Sequence, residues 1–277
     1  MEDIKLFELK QFSRTHQSKT LLVTFIYPAA IIYLDSLVQD INAQTTENFV
    51  LIAFNDGVKN SSYFFKDLKI PYLVYDVIGF NPMEVRFKGL EALAQTSFTK
   101  FIFQDSDDGL SSNRIQTVNQ LLDKYALVVN DLDLMDEHGE VFKAKIWEAR
   151  FKQESHFSAQ HLSSYNFAGL GNTSITVNLL DYLPPRPASE IIAVDWYLFY
   201  VCLLQSGATG YRTSDCTTKY RQHTYNTIGL QQAKKDEIDE ALRLHYLAID
   251  QLGIQVENKN AKFREHRPDD FWWEIYN

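Results

Sequence analysis

Three carboxylates stand within four positions at Asp105-Ser106-Asp107-Asp108, directly after the apolar run Phe101-Ile102-Phe103. A short apolar run bounded by polar residues reads as a buried strand. The carboxylates are therefore predicted at a strand's C-terminal end, where open α/β sheets bind ligands. Anionic groups this close repel one another unless a cation lies between them. A divalent cation on a diphosphate answers that need, because hard cations take oxygen ligands. A helix cap at Asp108 or Ser111 would use only one carboxylate, and three exceed it.

Two other stretches carry chemistry. Asp195 sits between Val194 and Trp196 near the start of Ile191 to Leu204, an apolar run of helix length. It reads either as an acid placed in a first turn by the macrodipole or as a general base in a partly dry pocket. Tyr220-Arg221-Gln222-His223-Thr224-Tyr225-Asn226 gathers a cation, an imidazole and amides in one predicted loop. Such a loop suits phosphate contacts, or a metal through His223, and equally an ordinary polar surface.

The elements that must position these residues follow in chain order. Leu21 to Tyr27 is almost continuously apolar and stops at Pro28, as a strand buried on both faces would. Ile31, Leu34, Leu37, Val38 and Ile41 have helical spacing. Phe49 to Phe54 is a second buried strand ending in the turn Asn55-Asp56-Gly57. Tyr72 to Tyr75 is a third strand, Val85 to Leu93 a helix and Phe101 to Phe103 the fourth strand. Strands alternating with helices predict a parallel sheet covered on both faces. A helix over Asn113 to Lys124 and a strand over Ala126 to Val129, ending at Asn130-Asp131, continue the pattern. Asp136 to Glu140 reads as a hairpin turn, Trp147 to Ser164 as amphipathic, and Gly169-Leu170-Gly171-Asn172 precedes a β-branched strand at Thr173 to Val177. A short strand is placed around Tyr211 and a helix over Gln231 to Leu252. Met1 to Lys19 is polar and mixed in charge, unlike a signal or transit peptide.

Composition narrows the classes. The 277 residues are 45% hydrophobic and 23% charged, enough for one large core, or one core plus a small appendage. Net charge of −9 argues against a nucleic-acid binder, which needs a basic face. Two cysteines, Cys202 and Cys216, make no disulfide framework, so a reduced, cytoplasmic setting is expected. No apolar run reaches the roughly 18 residues of a spanning helix. The tail combines Lys262, Arg264 and Arg267 with Phe271-Trp272-Trp273 and Tyr276. It suits peripheral contact with the inner face of a membrane, a docked strand or a homo-oligomer contact. Neither G-x-G-x-x-G nor G-x-x-x-x-G-K-[ST] occurs, which disfavours a Rossmann dehydrogenase or a P-loop enzyme.

In this order and spacing, the pieces resemble glycosyltransferase family 2, with its GT-A fold. The strand ending in Pro28, the turn Asn55-Asp56-Gly57, Val85-Arg86-Phe87-Lys88-Gly89-Leu90, Phe103-Gln104-Asp105-Ser106-Asp107-Asp108, Val194-Asp195-Trp196 and Tyr220-Arg221-Gln222-His223 carry the resemblance, which spans Leu21 to Gly229. It implies a mostly parallel central sheet flanked by helices. Residues 1–229 would be catalytic, with a nucleotide-sugar half at 20–108 and an acceptor half at 109–229; residues 230–277 would be a helical, aromatic extension. Carried over, Pro28 would lie in the nucleotide-sugar site, Asp56 would contact the nucleotide base with Asn55 beside it, Arg86 would sit near base or diphosphate, and Asp105 on the ribose side. Asp107 and Asp108, with His223, would hold Mn²⁺ or Mg²⁺. Arg221 and His223 would close over the diphosphate, and Asp195 would deprotonate the acceptor. Ala29-Ala30 after the proline and Asn55 in the turn depart from the family pattern at the base contacts.

The resemblance implies a donor that is a nucleotide-diphosphate sugar, UDP-linked before dTDP- or GDP-linked. The acceptor would be a glycan, a lipid-linked saccharide or a glycoprotein. A cation bridging the phosphates would stabilise the leaving group, so one base on the opposite face suffices and inversion is expected. A sugar nucleotidyltransferase would need a glycine-rich basic loop that Leu21 to Leu34 lacks. A degenerate, glycosyltransferase-like partner subunit is the non-enzyme alternative.

Overall fold

The computed structural model describes residues 2–148, 155–163, 166–188, 190–223, 235–254, 262–263 and 275–276. Ten strands form one sheet: β1 (Thr20–Ile26), β2 (Val50–Asn55), β3 (Tyr72–Asp76), β4 (Lys100–Asp105), β5 (Gly109–Leu110), β6 (Leu127–Met135), β7 (Val141–Lys143), β8 (His156–Phe157), β9 (Thr173–Thr176) and β10 (Gly210–Arg221). Its main path runs β3-β2-β1-β4-β9-β6-β10-β5, with β7 beside β6 and β8 beside β10. β3, β2, β1 and β4 are mutually parallel, as are β6 and β10. β9 runs antiparallel between β4 and β6, so the sheet is mixed.

Two hydrophobic layers explain the continuous apolar runs. Leu21, Val23, Phe101 and Phe103 pack on one face of the sheet, and Leu22, Ile26 and Ile102 on the other. A strand covered on both sides has no polar face to show.

The first predicted helix is two elements. Pro28 opens a 3-10 turn, Pro28–Tyr33, which passes into the α-helix Leu34–Asn42. Leu34, Leu37, Val38 and Ile41 are its buried face, as their spacing predicts. The helix Pro82–Leu93 starts with a capping box, in which Asn81 accepts from the Glu84 backbone and Glu84 reaches back. It crosses β1 closely: a Cβ on Gly89 would stand 2.8 Å from Phe25 Cε1. The helix Val194–Ser206 is buried from Val194 to Leu203 except at Asp195 and stops at Gly207, whose φ of +65° is the left-handed C-terminal cap.

Several expectations need correction. β6 does not end at Asn130-Asp131 but continues to Met135. Both side chains there are buried and bonded: Asp131 accepts from the amides of Leu132, Trp147 and Glu148. The short strand around Tyr211 is the twelve-residue β10, and it contains Tyr220 and Arg221, which were expected in a loop. The polar N-terminus forms the helix Glu2–Thr15 and seats Leu9 in the core. Much of the 149–165 stretch and residues 224–234 lie outside the described residues. The helix Lys235–Gln251 packs on Val194–Ser206, where the His245 ring stacks on Trp196 at 4.1 Å. In the tail, Lys262 pairs with Tyr276 and Phe263 with Ile275. Cys202 and Cys216 are free and buried. Among the described residues no helix is long and apolar enough to cross a membrane.

Candidate active site

The acidic loop begins where β4 ends. Asp105 is the last residue of β4 and lies beside Phe25 of β1, so the sheet delivers it to the edge of the β1 C-terminus. The turn closes when the Asp108 amide donates to the Asp105 carbonyl at 3.3 Å. Oδ2 of Asp107 accepts the Tyr27 hydroxyl at 3.0 Å and meets His223 Nε2 at 2.8 Å. Oδ1 of Asp108 accepts the Arg221 amide at 2.7 Å. The Arg221 side chain donates to the carbonyl of Asp107 at 2.7 Å and to that of Glu137 at 3.1 Å. Its guanidinium also lies 4.5 Å from the centre of the Tyr33 ring, on which His223 stacks at 5.4 Å.

Asp195 occupies the first turn of its helix. The Trp196 amide donates to its Oδ1 at 3.0 Å and the Leu170 amide to its Oδ2 at 3.1 Å. The carboxylate is thus oriented by two backbone donors, yet part of its surface stays open.

Both carboxylate groups face one cavity of about 420 Å³. Asp56, Arg86, Asp105, Asp107, Asp108 and Asp195 line it, with Tyr27 and Tyr220. Burial, then the neighbouring Asp107 charge, pushes the Asp105 carboxyl up to about 7, against the pull of Arg86. The Asp108 carboxyl is driven well above its ordinary range by burial and by the charges of Asp107 and Asp105. Burial also raises Asp195, with Arg86 opposing it. Burial raises the phenols of Tyr27 and Tyr220, and the same anions add to it. Nε of Arg86 is buried and has no acceptor among the described residues.

Pro28, Asn55, Arg221 and His223 do not line this cavity. Pro28 is the first residue of the 3-10 turn. Asn55 is buried at 3% exposure and serves the loop: its amide group donates to Val58 O, Ser61 Oγ and Asp76 Oδ1, and its Oδ1 accepts from the Val58 amide. It shapes the turn that presents Asp56. Arg221 and His223 brace the acidic loop from behind.

Sequence reasoning passed over Tyr27, Arg114 and the turn Gly169–Asn172. Tyr27 had a signal, being the residue between a buried strand and Pro28. Arg114 had none, because an arginine in an amphipathic helix reads as solvated. It is fully buried beneath the acidic loop.

A Mn²⁺ or Mg²⁺ ion fits this chemistry. The cavity is lined by hard carboxylate oxygens, and at Asp105 and Asp108 burial and then the neighbouring anions raise the proton affinity; a divalent cation works against both effects. Such ions commonly take one or two protein carboxylates and complete their shell with phosphate and water. Asp107 and Asp108 could supply those carboxylates. Among the described residues no three His, Cys, Asp or Glu side chains form a ready-made cage. His223 is hydrogen-bonded to Asp107.

The fold has known counterparts. Residues 1–349 of S. aureus TarS in complex with UDP-GlcNAc match with a TM-score of 0.57 at 14% identity, over 83% of this chain and 66% of that one. The complex of the same TarS segment with UDP matches at 0.56 and 14%, over 83% and 65%. The fold is GT-A-like. The chain spans just under two thirds of the TarS segment it matches, and at this identity the likeness is one of fold. No family model and no curated protein matches the chain.

Proposed function

We propose that this chain is a metal-dependent glycosyltransferase of the family 2 kind, moving a sugar from a nucleotide-diphosphate sugar to an acceptor hydroxyl with inversion. The observation that carries the reading is that the Asp105–Asp108 loop and Asp195, from separate elements, line one cavity. A cavity holding these four carboxylates would repel a diphosphate without a cation. When bound, Mn²⁺ or Mg²⁺ supplies Lewis-acid stabilisation of the departing diphosphate. Asp107 and Asp108 would hold it, and Arg86 would meet the phosphates or the base. Asp56, at the tip after β2, would face the nucleotide base.

Asp195 takes the proton of the acceptor hydroxyl as that oxygen attacks the anomeric carbon. The bond from that carbon to the phosphate oxygen breaks, and its electron pair leaves with the nucleoside diphosphate. Burial raises the basicity of Asp195, the direction that favours a general base. The two amides that bond it fix which oxygen edge faces the acceptor.

UDP-sugars are the favoured donors because the structural match includes TarS bound to UDP-GlcNAc and to UDP. The test is a thermal-shift panel of UDP-, GDP- and dTDP-sugars with and without Mn²⁺, followed by assay of nucleoside diphosphate release. A bound ligand must raise apparent stability. Binding of no nucleotide would favour a partner subunit. Release of pyrophosphate from a nucleoside triphosphate and a sugar phosphate would favour a nucleotidyltransferase.

A further inference from the structure

The acidic loop and Asp195 are joined by one short turn, Gly169–Asn172. On one side the Leu170 amide donates to Asp195 Oδ2 at 3.1 Å. On the other, Gly171 presses against the acidic loop: a Cβ there would stand 2.7 Å from Asp105 Oδ2 and 3.2 Å from Asp108 Oδ2. The Gly171 carbonyl accepts from Arg114 at 2.8 Å and from the Thr218 hydroxyl at 2.9 Å. Arg114 also donates to Phe103 O and Asn130 Oδ1, each at 2.7 Å, and to Gln104 Oε1. One guanidinium therefore ties the end of β4, the middle of β6 and the turn together.

Arg114 is fully buried, and its hydrogen bonds all go to neutral oxygens. A buried cation without a bonded counter-ion is costly to keep. Burial lowers the pKa of Arg114 to about 10, and the neighbouring Cys216, Asp108 and Asp105 oppose that shift. A planar fork of five donors is what reaches four acceptors from three directions, and a lysine would not.

We propose that Arg114 is a positioning residue that, through Gly171, fixes the acidic loop and Asp195 at one separation. The proposal rests on the glycosyltransferase reading for its purpose, but not for its mechanics. A donor and a base held at a set distance give the geometry on which in-line transfer depends, where an error of about 1 Å can lower the rate some hundredfold.

Hydrogen exchange on the full chain tests the mechanics without substrate. In Arg114→Met, the Leu170 amide, bonded to Asp195, and the Arg221 amide, bonded to Asp108, should both exchange at least about tenfold faster, while Ile52 in β2 keeps its wild-type rate. Wild-type exchange at Leu170 and Arg221 in the folded variant overturns the proposal. Should Arg114→Met fail to fold, Arg114→Lys carries the same readout. Hydrolysis of UDP-GlcNAc with Mn²⁺ tests the purpose. Arg114→Lys should keep KM within about threefold and lose at least about tenfold in kcat per folded molecule. An unchanged kcat, or a loss that only follows the folded fraction, overturns it. If the wild type turns over no donor, the functional reading fails while the exchange result still decides the positioning.

Discussion

Nε2 of His223 lies 2.8 Å from Oδ2 of Asp107, although 116 positions separate them. The same oxygen also accepts from Tyr27, at the end of β1. The end of the first strand, the acidic loop and the segment after β10 therefore converge on one carboxylate. That convergence sets the first expectation. Asp107→Ala should abolish Mn²⁺-dependent binding of UDP, read by calorimetry, because the anionic ligand goes and Tyr27 and His223 lose the oxygen they meet. Asp195→Asn should bind UDP normally and lose about 10²- to 10⁴-fold in turnover, the usual worth of a general base. Equal loss of binding in both variants would defeat the assignment of separate roles.

Asn55→Asp should destabilise the fold by about 1–3 kcal/mol, because a buried donor pair is replaced by a second carboxylate facing Asp76. The present amide donates to Asp76 Oδ1 at 2.8 Å. Chemical denaturation measures the loss. A midpoint equal to the wild type would show that the turn does not depend on this amide.

The pH dependence of stability in the metal-free protein should carry the mark of Asp105. Its carboxyl is raised from an ordinary 3.8 to about 7, so the folded state holds the proton more tightly than the unfolded one. Stability from this group is fully present below pH 3.8 and is lost as pH rises through about 7. Between pH 5 and 8 the wild type should lose more thermal stability than Asp105→Asn. Parallel melting curves over that range would contradict the shift.

His245 works with the opposite sign. Burial lowers its imidazole from 6.5 to about 3, and neither ring nitrogen has a hydrogen-bond partner among the described residues. Its contribution is present above pH 6.5 and is lost as pH falls toward 3. His245→Phe keeps the stack on Trp196 and removes the titrating group. Between pH 6.5 and 5 it should lose less stability than the wild type. A steeper acid loss in the variant would show that the imidazole is not held neutral.

The parts of the fold written in local pattern were readable in advance. β1, β2 and β4 are continuous apolar runs because both faces are covered, and the helix at Leu34 shows its buried face in its spacing. Asp105, Asp107, Asp108 and Asp195 were readable because carboxylates beside apolar stretches are conspicuous. What escaped depends on partners distant in sequence. Asn130-Asp131 looks like a turn until the amides of Trp147 and Glu148 are seen to satisfy Asp131. Arg114 looks solvated until Gly171, 57 positions later, accepts from it. The N-terminal helix did leave a trace, since Leu6, Leu9 and Phe12 repeat every three residues, but its polar composition concealed it. Asn55 and Arg221 bond the turn and the acidic loop instead of lining the cavity, which spacing along a chain does not reveal because it gives position and not direction.

The helix Val194–Ser206 buries nine of its first ten residues, leaving only Asp195 partly open. A segment apolar on every side has no water-facing surface of its own and takes its stability from what surrounds it. Its Phe199 ring lies 6.3 Å from that of Phe103 in β4, so the helix shares one core with the strand that carries Asp105. Loosening that packing would disturb the settings of Asp105 and Asp195 together.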